Sequence, residues 1–209
     1  MVEVCGRALV SWAVQALSAG GVTDAIVVIA PDQPMDVWRA ALADVPGCII
    51  APTGGAERAD SVRGTLRHLE SLVDTDHIDA VLVHDAARAF VPPEVVARVI
   101  AAVRAGAVAV TPVVPVVDSL REVSGAASRP FDRSHVRAVQ TPQGFTYDAL
   151  LAAHAAPHSE ATDDVTVAEL AGYSVTLVDG DERAFEVTTP ADLIRAEAVA
   201  RDLLGRGIS

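Results

Sequence analysis

Short apolar runs recur along this chain at intervals filled by helix-period segments, and that alternation leaves few folds open. Ala25 to Ala30 (AIVVIA), Cys48 to Ala51, Ala80 to His84 and Val108 to Val114 are each short, continuous and largely apolar. Such runs suit strands buried on both faces, as in parallel sheets. Between them lie helical patterns at Leu9 to Ser18, Pro34 to Leu42, Ala59 to Leu72 and Glu94 to Ala105. Gly20-Gly21 stops the first helix, and Pro92-Pro93 opens the last, where a missing N–H is no loss. The alternation predicts βαβ units, hence an α/β fold whose mostly parallel sheet carries helices on both faces. Sheets of this kind bind ligands beyond the carboxyl ends of their strands.

Past Val114 the pattern changes. Asp118 to Val139 holds a Gly-Ala-Ala-Ser turn between polar, partly alternating flanks, which predicts a solvent-side β-hairpin, an arm. Helices Tyr147 to Ala156 and Val165 to Ala171, strand Ser174 to Asp179, a short apolar piece around Phe185 and helix Pro190 to Leu204 complete the reading. No linker or repeat interrupts it, so residues 1–209 are expected to form one domain.

Charge and composition exclude several functions. The formal charge of −12 gives no footprint for nucleic acid and argues against an acidic membrane surface, so a polyanionic substrate requires a local basic pocket. The most apolar window, Ala105 to Val117, is broken by Pro112 and Pro115 and is too short to span a bilayer. Cys5 and Cys48 are the only cysteines, and no charged segment followed by an apolar one opens the chain, so a reducing cytoplasm is expected. No Cys/His cluster has zinc spacing, and no serine or cysteine nucleophile with a histidine partner stands out.

The chemistry-bearing residues sit at strand ends. In Val81 to Ala89 (VLVHDAARA) an apolar run delivers His84, Asp85 and Arg88 to one point. Asp85 suits a divalent metal or hydroxyl groups, and Arg88 suits a phosphate held bidentately; an Asp–Arg pair capping the next helix is the structural alternative. In Thr53 to Ser61 (TGGAERADS) a Gly-Gly turn enters a helix, where backbone N–H groups with Asp60 and Ser61 can read a nucleobase edge or simply start the helix. Thr141 to Phe145 (TPQGF) and Thr162 to Asp164 (TDD) end other apolar segments ahead of helices, where N-caps also belong.

The ordered set GGAERADSV, VLVHDAARA, TPQGF and TDD resembles the 2-C-methyl-D-erythritol 4-phosphate cytidylyltransferase family of the non-mevalonate isoprenoid pathway. The resemblance runs from near Gly6 to about Leu203. It implies a Rossmann-like nucleotidyltransferase fold and a homodimer clasped by a protruding β-arm, the segment from Asp118 to Val139. It also implies transfer of a cytidylyl group from CTP to the polyol phosphate with Mg²⁺, releasing diphosphate. By resemblance, Gly54, Gly55 and Ser61 form the cytosine pocket, with backbone contacts near Ala56, where the family often has an aspartate. Asp85 corresponds to the residue near metal, ribose and acceptor, and Arg88 to its neighbour in substrate binding. Ser119, Arg133 and Thr141 correspond to positions that hold the methylerythritol phosphate, partly across the dimer interface.

Two departures accompany the matches. The family opens with a strand, a glycine-rich AAGxGxRxG loop that wraps the triphosphate and a Pro-Lys pair, all ahead of the positions aligned with Val2 to Arg7. That pattern implies a chain longer than this one, its first strand lying mid-sheet. Glu186 stands where the family typically carries a lysine that touches the α-phosphate and acceptor. A sister enzyme for another polyol phosphate, such as ribitol 5-phosphate, and a non-catalytic nucleotide-binding paralogue are the alternatives these features leave open.

Overall fold

Strand ends decide where a site can form in an α/β fold, and the strand directions fix those ends. The computed structural model describes residues 1–71, 77–155 and 161–207; the expected helix ends at Leu72 and Ala156 lie outside them. The chain opens on a tight hairpin, β1 (Glu3–Val4) and β2 (Arg7–Ala8). Cys5 and Gly6 turn it, both at positive φ, as a two-residue hairpin turn demands. Helix α1 (Leu9–Ala19) follows and ends at Gly20, as the Gly-Gly signal requires.

Next come β3 (Ala25–Val28), α2 (Met35–Ala41), β4 (Cys48–Ala51) and α3 (Arg58–Leu69). β3 and β4 pair in parallel as a ladder of their own. β5 (Val81–Val83), α4 (Pro93–Arg104) and β6 (Ala109–Pro115) continue the alternation. The arm is β7 (Leu120–Ser124) against β8 (Ala127–Phe131), antiparallel around Gly125 in the left-handed region. Only Gly125 and Ala126 form its turn, because Ala127 and Ser128 already pair in the ladder.

The rest of the expected arm belongs elsewhere. After a 3₁₀ turn at Arg133–His135, β9 (Arg137–Val139) leaves the hairpin and pairs antiparallel with β6. The sequence reading also places TPQGF at the end of an apolar segment ahead of a helix. In the structure its last three residues are a strand, β10 (Gln143–Phe145), antiparallel to β5 on one side and to β6 on the other. With α5 (Tyr147–Ala153), α6 (Asp164–Leu170), β11 (Val175–Asp179) and α7 (Pro190–Gly205) the order of the main sheet is β11–β6–β10–β5. β11 runs parallel to β6, and β5 shares their direction because β10 opposes both neighbours. The α/β reading therefore holds, with β10 the one reversed strand on this path and β9 capping the far end of β6.

That reversal positions the site. Gln143 pairs with Val83, so the start of β10 lies beside the carboxyl end of β5, and TPQ meets HDAAR. Burial drives the insertion. Gln143, Gly144 and Phe145 are all buried, and Phe145 packs with Leu150, Val165 and Val167. Gly144 is required here because α4 crosses its face. A Cβ on it would lie 2.5 Å from Val99 Cγ1 and 3.1 Å from Val103 Cγ2. Gly144→Ala is expected to overpack this junction and lower unfolding stability by about 1–3 kcal/mol. Equal urea midpoints for the two chains would refute that account.

Candidate active site

Asp85 is the centre of the cluster, and its backbone is fixed first. It follows β5 in a turn closed by Arg88 N–H donating to the Asp85 carbonyl at 2.8 Å. The Asp85 N–H donates to Thr141 Oγ1 at 3.1 Å, and Thr141 Oγ1 stands 2.9 Å from His84 Nδ1. His84 Nε2 lies 3.2 Å from the Arg88 carbonyl, which only accepts. The imidazole therefore carries its proton on Nε2, and the Thr141 hydroxyl donates to Nδ1. Thr141 is buried, with both its hydroxyl hydrogen and an acceptor site engaged. In this chain it ties the HDAAR turn to the start of β10.

This closed set needs neutral His84. Burial pulls its pKa down to about 4, against the opposing pull of the Asp85 charge. A folded value below the unfolded one means the unfolded chain binds more protons between the two, so stability is lost as pH falls from about 6.5 towards 4. His84→Gln is expected to flatten that part of the stability–pH curve by about 2 kcal/mol. Parallel curves from pH 7 to 4.5 in urea titrations would overturn the assignment.

The carboxylate of Asp85 is placed by a residue to which the sequence reading gives no role, Arg58. Its Nε and Nη2 each lie 3.3 Å from Asp85 Oδ1, and its Nη1 pairs with Asp164 Oδ2. Asp164 is 1 % exposed; its Oδ1 is 3.0 Å from His154 Nε2, and its N–H donates to Gln143 Oε1. Burial pushes the Asp164 pKa up, but the His154 and Arg58 contacts outweigh it and hold the carboxyl below its ordinary value. Burial likewise opposes the charge on Arg58, and the two carboxylates more than restore it. TDD thus splits. Asp163 caps α6 by accepting from the Thr166 N–H, while Asp164 turns inward to the site.

Arg88 is joined to Asp85 through its backbone, while its side chain bonds elsewhere. Its Nη1 donates to the Ala184 carbonyl at 2.9 Å, and its Nη2 is 3.5 Å from Glu186 Oε2. Glu186 therefore lies beside Arg88. The Gly-Gly turn reaches the same end of the sheet through Arg58. Gly54 donates its N–H to the Ile29 carbonyl, and Gly55 donates to Ser61 Oγ at 3.0 Å. Gly54 must be glycine, since a Cβ would fall 2.8 Å from that carbonyl oxygen. Both glycine N–H groups are thus engaged within the protein, Gly54 by the carbonyl that follows β3 and Gly55 by Ser61, and Ala56 is exposed. Ser119 and Arg133 are exposed on and beside the arm, and among the described residues no hydrogen bond joins their side chains to the Asp85 group.

The cluster is thus one carboxylate held by Arg58 at the ends of β5 and β10, with the Arg88 guanidinium nearby on Ala184 and Glu186 and a glycine loop beside it. The family model for 2-C-methyl-D-erythritol 4-phosphate cytidylyltransferase matches residues 1–202. The chain belongs to this family. A cytidylyltransferase of that name from Rhodococcus jostii is 42% identical over 203 residues, covering 96% of this chain and 86% of the relative. One from Saccharopolyspora erythraea is 45% identical over 201 residues, covering 95% of this chain and 89% of its own length. Among solved structures, the cytidylyltransferase of Thermus thermophilus is similar with a TM-score of 0.76 at 38% identity, covering 95% of this chain and 92% of the other. A 4-diphosphocytidyl-2C-methyl-D-erythritol synthase superimposes with a TM-score of 0.84 at 28% identity and the same two coverages, 95% and 92%.

Proposed function

We propose that this chain transfers the cytidylyl group of CTP to 2-C-methyl-D-erythritol 4-phosphate and releases diphosphate. The observation that carries the reading is the gathering of Asp85, Arg88, Thr141 and the Gly54–Ser61 loop at one end of the sheet, in a chain matched by the family over residues 1–202. A phosphate oxygen of the acceptor attacks the α-phosphorus in line; the new P–O bond forms as the bond to the β-phosphate oxygen breaks, and diphosphate leaves with the electron pair. Such a step needs positioning and charge neutralisation more than a covalent group.

Within that reading the loop carbonyls at Gly54 and Gly55 and the Ala56 N–H meet the cytosine edge, on a loop fixed by the Ser61 hydroxyl. Arg88, anchored on the Ala184 carbonyl, offers charge to the phosphates. Asp85 suits Mg²⁺. Its Oδ1 faces Arg58, Oδ2 has no partner among the described residues, and a single carboxylate completed by substrate phosphates is a common mode for this ion. Bound there, Mg²⁺ would neutralise charge on the triphosphate. We assign Ser119 and Arg133 to the acceptor site of a partner subunit. The arm's exposed Val123 and Phe131 and the neighbouring Val117 support a homodimer formed through it. Cys5 and Cys48 are free thiols, as a reducing cytoplasm maintains. No helix among the described residues is long and apolar enough to cross a membrane.

Glu186 beside Arg88 favours one rival, a chain that binds CTP without turning it over. The test is diphosphate release by the purified chain with CTP and Mg²⁺, offered methylerythritol phosphate and ribitol 5-phosphate separately and in competition. Release dependent on methylerythritol phosphate supports the proposal. Saturable CTP binding with no release from either acceptor supports the rival, and release with ribitol 5-phosphate alone reassigns the substrate.

A further inference from the structure

We propose that Arg58 is a positioning residue for this reaction, an arm that fixes the Asp85 carboxylate from a buried anchor while Asp164 cancels its charge. The inference rests on the reading of Asp85 as the cation-holding residue. The anchor end is rigid. Asp164 is tied through Oδ1 to His154, through Oδ2 to Arg58 and through its N–H to Gln143, and Gln143 also accepts from the Val165 N–H. Gln143 is itself a β10 residue paired with Val83 at the end of β5, so anchor and target share one rigid piece of sheet.

The working end is selective. Nε and Nη2 of Arg58 both address Oδ1 of Asp85, and among the described residues no other side chain bonds to that carboxylate. Its rotamer is therefore set by Arg58, with Oδ2 unengaged. A guanidinium this close to a divalent cation is an electrostatic liability, since like charges about 4–6 Å apart repel strongly in a partly desolvated site. The buried Asp164 carboxylate supplies the compensating charge. Lysine does not satisfy both demands, because one ammonium lacks the fork needed to span two carboxylates.

The two halves of this device make opposite predictions. Arg58→Gln removes the arm and its charge together. It is expected to lower kcat by about 30-fold or more, with KM for CTP changed less than about threefold and the affinity for Mn²⁺ held or tightened. Asp164→Asn keeps the shape and leaves the Arg58 charge uncompensated, so Mn²⁺ affinity is expected to weaken about 5–10-fold. Mn²⁺ binding in the presence of CTP, read by electron paramagnetic resonance, measures the second quantity without turnover. Where Arg58→Gln does not fold by circular dichroism, Arg58→Lys replaces it, with the same fall in kcat expected and Mn²⁺ affinity unchanged.

Folded variants that keep kcat within about threefold of the parent overturn the inference, and so do variants that both weaken Mn²⁺ alike. A parent that binds Mn²⁺ with CTP but releases no diphosphate defeats the proposed function alone, and the opposed Mn²⁺ shifts still decide the role of Arg58. A parent that takes up no Mn²⁺ with CTP defeats both.

Discussion

Glu186→Lys is expected to raise kcat/KM for diphosphate release about 10–100-fold. In the present chain Glu186 Oε2 lies 3.5 Å from Arg88 Nη2, which places a negative charge against the cation that the loop after β5 offers to phosphates. A triphosphate arriving there meets repulsion from the glutamate and an arginine already half-committed to it. At an effective dielectric near 20 a unit charge about 4 Å away is worth roughly 4 kcal/mol, and reversal doubles that. Glu186 is 44 % exposed, so water and salt screen most of this, and about 1.4–3 kcal/mol in the transition state remains. The substitution also frees Arg88. Its guanidinium keeps its bond to the Ala184 carbonyl and gains a free edge, while repulsion between the introduced ammonium and Arg88 costs roughly a few tenths of a kcal/mol in stability. Glu186→Gln is expected to recover about half of the effect in logarithmic terms. The ratio between the two variants and the parent should shrink as ionic strength rises from about 0.05 to 0.5 M. A Glu186→Lys chain no faster than its parent at low salt would remove position 186 from the transition-state machinery.

The elements legible in the sequence are those whose burial is written locally. β3, β4, β5, β6 and β11 are runs rich in Val, Ile and Leu, and the helices between them carry the expected period, proline starts and glycine stops. β10 is not written that way. Gln143-Gly144-Phe145 has one apolar side chain, a glycine that lets α4 pass, and a glutamine whose side chain is bonded by Asp163, Asp164 and Val165 some twenty residues on. β9 is equally silent, since Arg137-Ala138-Val139 owes its strand to β6 and carries no pattern of its own. The site divides similarly. HDAAR announces itself because a charged cluster ends an apolar run. Arg58 sits among charges at a helix start, where a solvated first turn is the ordinary reading, and His154 and Asp164 look like an exposed helix end and a cap. Only the fold, by bringing α3, α5 and α6 against β5 and β10, joins those three into one array, with His154 and Asp164 buried and Arg58 partly so.

That array sets the second large effect, on stability. Asp164→Asn is expected to cost about 2–3 kcal/mol at pH 7, because the buried carboxylate holds both Arg58 and His154 and an amide repays only part of those charge-assisted bonds. The sign with pH follows from the direction of the shift. The Asp164 carboxyl is held below its ordinary value in the folded chain, so its contribution is fully present above the unfolded value near 3.8 and disappears as pH falls through the folded one. The stability gap between parent and Asp164→Asn should therefore be constant from pH 7 to about 5 and close below pH 4. His84 titrates in both chains and cancels in the difference. A gap that persists unchanged at pH 3 in urea titrations would show that the loss is steric and owes nothing to the charge. The apolar double variant Arg58→Met with Asp164→Leu removes both charges together. Replacing both members of a buried ion pair by hydrophobic residues is often neutral or stabilising, whereas removing one leaves the other charge stranded. The double variant removes the stranded charge but leaves the buried His154 Nε2 without its carboxylate, so it is expected to cost about 1–2 kcal/mol and to slow diphosphate release about 30-fold or more, because nothing then holds the Asp85 carboxylate. A double variant more stable than Asp164→Asn, with turnover lost, would mean that the pair is kept for the placement of one carboxylate; retained turnover would mean that the Asp85 carboxylate finds its position unaided.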